Sequence, residues 1–348
     1  MNNVYKIILI AGFAIASLPA IAQDANNVND LIKQGVELND QGKYADAVSK
    51  YTEALKIDPE NVKANYEMAF ALSVSGKGND GIPYIEKAIK GSTSTTLTAA
   101  CYEVLGSIYD DTHQPQKAID AYKEGIKIKP DYQRLYFNLG ITYSRNKQYP
   151  EAEASAIEAI KLNPKHTSSQ RLYALVAFHQ DKRVNALLAF CSFIMLEPNT
   201  PRSAEAYGNI QHILQGGVLK DANGQNTIMI SPKENKENQT LNLAVSMAVI
   251  SGQSKKLTGM DLLEYELKSI FSIAGELVEK KTDKTFFDKG FVEYFYQLAK
   301  SNNMPVFTRL ISLSANKDEN TKWMADHDDM VKELNNWIAT TPRDLKGD

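Results

Sequence analysis

Residues 136–164 read YFNLGITYSRNKQYPEAEASAIEAIKLNP, from Tyr136 to Pro164. Thirty-four residues earlier, residues 102–130 read YEVLGSIYDDTHQPQKAIDAYKEGIKIKP, and the two stretches align without a gap. Gly140, Ala152 and Pro164 fall on Gly106, Ala118 and Pro130. The same triplet recurs at Gly35, Ala47, Pro59 and at Ala174, Ala186, Pro198, always spaced twelve and twelve. A period of this length marks stacked helix-turn-helix units, each unable to bury its apolar face alone. Tyr102, Leu105 and Tyr109, then Ala118, Tyr122 and Gly125, step by three and four and so share one face of each of two helices. Gly106, Gly140 and the alanines remove side-chain volume where the helices cross. The prolines cannot continue a helix and stand where one unit hands over to the next. Gln41-Gly42-Lys43, Ser75-Gly76-Lys77 and His113-Gln114-Pro115 supply turns between paired helices.

A degenerate unit fits between the first and third, with Ala69, Gly81 and Thr93 at the same offsets and extra residues in the Gly91 to Thr96 stretch. Five units then span residues 28–200, the second and fifth weaker because Gly81 and Ala174 exchange the expected small residues. This pattern resembles the tetratricopeptide repeat in period and signature. The resemblance implies an all-α fold: a right-handed superhelical array of about five helix-turn-helix units, followed by a helical C-terminal bundle. It also makes binding of another chain the leading expectation.

The amino terminus reads as a secretory signal, residues 1–22. Lys6 gives a thin positive start, Ile7 to Leu18 is apolar, and Ala20-Ile21-Ala22 is a small-x-small cleavage site. The apolar run falls short of the roughly 20 residues that a bilayer span needs, so an uncleaved anchor is the lesser alternative. No cysteine follows it, which disfavours a lipoprotein. Cleavage removes only Lys6 among the charged residues, leaving 42 acidic residues in slight excess over the basic ones. That balance provides no footprint for nucleic acid or an anionic membrane. The two cysteines, Cys101 and Cys191, fall in non-adjacent units and read as small buried hydrophobes rather than a disulfide.

After Thr200 the 34-residue pattern is expected to stop. Residues 201–238 read as a helix ending at Gly216-Gly217, then a linker or a small hairpin around Asn223-Gly224. Residues 239–348 read as a helical region. Leu263, Leu267, Ile270, Ala274 and Leu277 form one amphipathic stripe, and Trp323, His327, Val331, Leu334 and Ile338 form another in a single last helix. These helices are suited to cap the open end of the array. Phe286 to Tyr296 holds six aromatics, which reads as a helix covered on both sides, with an exposed partner surface as the rival.

In the family's geometry the first helix of each unit lines the concave side. That implies a partner-binding surface carrying Tyr66, Phe70, Arg134, Phe137, Asn138, Ile141, Arg145, Arg171 and Phe178. Aromatic residues with arginine suit a hot-spot surface, and Arg134, Arg145 and Arg171 suit a partner carboxylate. The competing reading pairs those arginines internally with Glu103, Asp110 and Asp111. Ile32 and Val36 stand where chaperone-tail binders of the family carry a polar clamp, so that class of tail is not expected. Asp326-His327-Asp328-Asp329 is read as a charged face beside a partly buried histidine and not as a metal site. No nucleophile elbow, zinc-protease signature, phosphate loop or dinucleotide fingerprint occurs.

The sequence thus predicts a non-catalytic scaffold or adaptor for a protein or peptide, without metal or cofactor. Its expected location is the periplasm, with secretion as the alternative, and no integral membrane segment is expected after signal cleavage. The rivals are a self-associating structural protein with an occluded groove, or a docking arm for a C-terminal enzyme domain.

Overall fold

The turn inside each helix pair shows how the repeat is made. In the computed structural model, which describes residues 18–216, 219–220, 226–227 and 236–346, Gly42, Gly76, His113, Lys147 and Asp181 all have φ between 56° and 79°. The amide after each closes onto a carbonyl five residues back: Lys43 to Leu38, Lys77 to Leu72, Gln114 to Tyr109, Gln148 to Tyr143 and Lys182 to Ala177, at 2.8–3.0 Å. This closure satisfies a carbonyl that the end of the first helix would otherwise orphan. Five such turns define five pairs: α1 (Leu18–Asp40) and α2 (Tyr44–Ile57), α3 (Val62–Val74) and α4 (Gly78–Gly91), α5 (Thr95–Asp111) and α6 (Pro115–Ile128), α7 (Gln133–Arg145) and α8 (Tyr149–Leu162), α9 (Thr167–His179) and α10 (Arg183–Leu196). The second and fifth units, whose small residues are exchanged, make the same turn as the others.

Small residues do what their spacing implied. A Cβ on Gly35 would lie 2.3 Å from the ring of Tyr51, and one on Gly106 would lie 2.4 Å from that of Tyr122. Both rings are buried. The Tyr51 hydroxyl accepts from Asn39 at 2.9 Å, and the Tyr122 hydroxyl lies 3.2 Å from Ser107 Oγ. Cys101 and Cys191 are both free and buried, and burial pushes the Cys101 thiol up to about 12.

Two compact units divide between Thr142 and Tyr143, within α7. In residues 1–142 the first helices touch in sequence, α1 against α3 and α3 against α5, while each also packs on its own second helix. Ile85, Cys101, Val104 and Ile108 form one buried cluster there, with Tyr66 and Phe70 packed partly buried against it.

In residues 143–348, α10 is the centre. Val184 through Ile194 are all buried, because α10 has neighbours on every side: α9, then α11 (Pro201–Gly216), α12 (Lys236–Ser254), α15 (Met304–Ile311) and a π-helical turn at Asp288–Val292. A helix apolar all round is what such a position requires. Asn242 on α12 fastens the turn before it, donating to the Asp181 carbonyl at 2.8 Å and accepting from the Val184 amide at 3.4 Å.

After Thr200, helix α11 carries Gly208 34 residues after Ala174. It packs on α10, and α12 packs on both α10 and α11. Leu219–Lys220 and Asn226–Thr227 then form an antiparallel pair, where the sequence left linker and hairpin open; the turn residues between them lie outside the described residues.

The remaining helices are α13 (Gly259–Glu279), α14 (Glu293–Lys300), α16 (Lys317–Asp326) and α17 (Asp328–Thr340). Leu263, Leu267, Ile270 and Ala274 are buried as the stripe implied, and Leu277 is half-buried. The single last helix is two: His327, with φ −126° and ψ 40°, ends α16 and precedes α17. Its ring stacks on Trp323 at 4.0 Å and its Nδ1 meets the Trp323 carbonyl at 2.8 Å, which takes the imidazole off the α17 face. Asp328 and Asp329 occupy the first turn of α17, where the helix dipole favours acids.

Of the six aromatics in the run, Phe286 and Tyr296 are half-buried and the other four, Phe287, Phe291, Tyr294 and Phe295, are buried. The π-turn resets the register so that adjacent Tyr294 and Phe295 both point inward. Thr285 and Asp288 form a reciprocal cap, and Asp288 also receives Lys281 Nζ at 2.9 Å on both oxygens. Of the expected leader, residues 1–17 lie outside the described residues. Among the described residues no helix is long and apolar enough to cross a membrane.

Candidate partner-binding surface

In residues 1–142 the surface is built from α3, α5 and α7, the first helices of three units. Steps of four place Tyr66 and Phe70 together on α3 and Glu103 and Ser107 on α5, while Arg134, Asn138 and Ile141 line one face of α7. Tyr66, Phe70, Phe137, Asn138 and Ile141 are all half-buried. Burial raises the Tyr66 hydroxyl well above its ordinary pKa, helped by the nearby carboxylates of Glu67 and Glu103.

Glu103 is the hub. It is buried, yet it accepts from Arg134 Nη2 at 2.7 Å, from the Tyr132 hydroxyl at 3.2 Å and from Asn138 Nδ2 at 3.5 Å. Burial raises its carboxyl above the usual range, and the Arg134 guanidinium and three hydrogen bonds pull it back down. A buried carboxylate with three donors is fixed in place, because removing a donor would leave charge without compensation. Arg134 itself is 65% exposed, so its outer edge faces solvent while one nitrogen is engaged. Tyr132 was not visible to sequence reading; it lies between the Pro130 boundary and α7, where the repeat signature carries no requirement.

The other predicted residues belong to residues 143–348. Arg145 is exposed in the last turn of α7. Arg171 pairs with Glu205 on α11 at 2.6 Å, an acceptor that neither reading of the arginines named. The offset from Arg171 to Glu205 is 34 residues, the repeat period, and that was the available signal. Arg202 on α11 likewise reaches back to Ser168 and Thr167 at 3.1 Å and pairs with Glu197, holding that carboxyl down at about 2. Phe178 meets Phe190 and His212 edge-on, at 6.2 and 5.7 Å between centroids. Arg134 thus serves Glu103, and Arg171 serves Glu205. Among the described residues no group of three His, Cys, Asp or Glu is placed to hold a metal.

The TPR repeat profile matches residues 35–76 and 106–147, and the tetratricopeptide repeat profile matches residues 133–166. Human tetratricopeptide repeat protein 6 is 30% identical over 135 residues, covering 39% of this chain and 25% of that protein. The Hsp70-Hsp90 organizing protein 1 of Glycine max is 31% identical over 117 residues, covering 34% of this chain and 19% of its own length. The chain thus spans a quarter or less of either relative. Among solved structures, pilF of Pseudomonas aeruginosa is 17% identical with a TM-score of 0.48, over 56% of this chain and 91% of that one. With one turn geometry throughout the five pairs and profiles matching within the first four of them, the repeats of this chain are tetratricopeptide repeats.

Proposed function

We propose that this chain is a non-catalytic scaffold or adaptor that holds a protein or peptide segment against the first-helix surface of residues 1–142. The observation that carries the reading is the Glu103–Arg134 pair locked by Tyr132 and Asn138, with half-buried Tyr66 and Phe70 on α3 and Phe137 and Ile141 on α7. Rigid aromatic and aliphatic groups beside a positioned guanidinium bury area at little conformational cost, as binding hot spots do. The leader-like amino terminus supports action in the periplasm. The Hsp70-Hsp90 organizing protein among the relatives supports an adaptor role without naming a partner for this chain.

Charge reversal at Arg134 would set a second carboxylate beside buried Glu103, so it is a poor probe of binding. The cleaner test is a Phe70→Asp, Ile141→Asp double variant of the exported chain, crosslinked and captured from the native envelope beside the unaltered chain. Partners held by the unaltered chain and lost by a variant with an unchanged melting curve are expected. Equal capture by both would place binding elsewhere. N-terminal sequencing of the exported chain should begin at Gln23; an intact Met1 would refute the leader.

A further inference from the structure

In residues 1–142 charge is divided unevenly between the two helices of each pair. From Val28 onward, α1, α3 and α5 carry seven acidic residues against two lysines, whereas α2, α4 and α6 carry six against seven lysines. On the second helices lysines answer carboxylates close by. Lys50 pairs with Glu53, Lys127 with Glu124, and Lys87 with Glu60 of the α2–α3 loop, at 2.5–3.3 Å. On the first helices like charges act on one another instead. Burial raises the Glu67 carboxyl on α3 above its usual range, Lys63 draws it down, and Asp40 on α1 raises it again. Burial likewise raises the Tyr122 hydroxyl, its bond to Ser107 lowers it, and Asp110, Glu103 and Asp111 of α5 add to the rise.

Steps of four set these charges among apolar groups. Val36 and Asp40 follow one another on α1, Tyr66, Phe70 and Val74 on α3, and Ser107 and Asp111 on α5. Asp40, Val74 and Asp111 each stand five residues after the small residue of their unit, Gly35, Ala69 or Gly106, and neighbouring first helices touch. Val74 therefore lies between the two acids; it is 44% exposed, and Asp40 and Asp111 are exposed as well. Arg134, the one cation that α7 brings to these residues, is already engaged by Glu103. A lysine or arginine side chain suits such a face, because its stem covers apolar surface while its head reaches a carboxylate or an aromatic ring. An anionic segment would meet an excess of like charge on α1 and α5.

We propose, building on the reading that partners meet this surface, that the segment held there is a cationic stretch of another polypeptide in which lysine or arginine alternates with apolar side chains. Its cations answer Asp40, Glu67 and Asp111, and its apolar groups cover Phe70 and Val74. Attraction between exposed charges speeds encounter and fades with salt, while the apolar contacts do not.

Fluorescence anisotropy of the full mature chain with labelled KLKAKLKA and ELEAELEA peptides tests this. KLKAKLKA is expected to bind at least tenfold more tightly than ELEAELEA at about 20 mM salt, and to weaken as salt is raised to about 300 mM. An Asp40→Asn, Glu67→Gln, Asp111→Asn variant is expected to weaken KLKAKLKA at least fivefold with an unchanged melting curve. Should Glu67→Gln disturb folding, the Asp40→Asn, Asp111→Asn pair decides. A Glu53→Gln, Glu86→Gln, Glu124→Gln variant removes the same charge from the second helices and is expected to weaken it less than twofold. Equal weakening by the two triple variants, ELEAELEA binding as tight as KLKAKLKA, or no saturable KLKAKLKA binding up to about 1 mM would each overturn the proposal. Envelope partners that the first-helix variant keeps and the Phe70→Asp, Ile141→Asp variant loses would leave the surface standing and overturn its cationic segment. Partners kept by both would overturn the surface and the segment together.

Discussion

At Gly106 the first-helix backbone lies against the Tyr122 ring so closely that a single methyl has nowhere to go. Gly106→Ala improves local helix propensity but must displace a buried ring whose hydroxyl is engaged with Ser107. Overpacking of this kind outweighs the propensity gain, and a loss of about 1–3 kcal/mol is expected in urea denaturation. Glu266 on α13 makes the opposite case, a side chain that the fold tolerates at a cost. It is buried, and burial raises its carboxyl to about 7 from 4.5. Between those two pH values the folded chain keeps a proton that the unfolded chain has released, so stability falls as pH rises through the window and levels off above it. Glu266→Gln should therefore stabilise at pH 8 by about 1 kcal/mol, allowing for residual solvent screening, and hardly at pH 4.5. Melting curves at the two pH values check it; an equal gain at both would assign the effect to packing. The glycine was legible in the sequence because period and offset single it out. Glu266 was not, since a glutamate at that helical position looks the same whether it faces water or α12.

Elements carry a second kind of strain. All five intra-repeat turns need a left-handed residue, yet only Gly42 and Gly76 are glycines; His113, Lys147 and Asp181 hold φ of 56–59° with a side chain. A Cβ in that region costs roughly 1–2 kcal/mol, set against the greater freedom glycine has when unfolded. Gly42→Ala should destabilise by about 1 kcal/mol, while His113→Gly should be neutral or stabilising by a few tenths, both read from chemical denaturation. A Gly42→Ala variant as stable as the native chain would show that the turn relaxes. The sequence marked two of these turns by glycine and one by Gln114-Pro115, while Asn146-Lys147 and Asp181 carry only the weaker asparagine and aspartate turn signals. The repeat register carried them. The break at His327 failed for a related reason: its spacing to Trp323 and Val331 suits an uninterrupted helix, and the ring stacking that ends α16 is invisible to spacing.

For the molecule, the consequence lies in α10. It is enclosed by helices of the last repeat and of the C-terminal region, all inside residues 143–348. Its amides should be the slowest to exchange in that unit, and slower than those of α1, which has helices on fewer sides. Leu188→Ala, at a fully buried site, should cost about 2–5 kcal/mol and speed exchange across α12 and α15 as well as α9. Speeding confined to α9 would show that the C-terminal helices hold together without the repeat. The repeat class, the five pairs and the helical character of the C-terminal region were all determined by the sequence, because helical periodicity and a 34-residue period are local properties that need no partner to be read. Tertiary structure alone decided that α12 packs on both α10 and α11, that Arg171 answers Glu205 rather than an acid of the third unit, and that Arg343 stands over the rings of Phe291 and Tyr294. Each of these joins residues through space, where what a side chain meets depends on how helices pack and not on its neighbours in the chain.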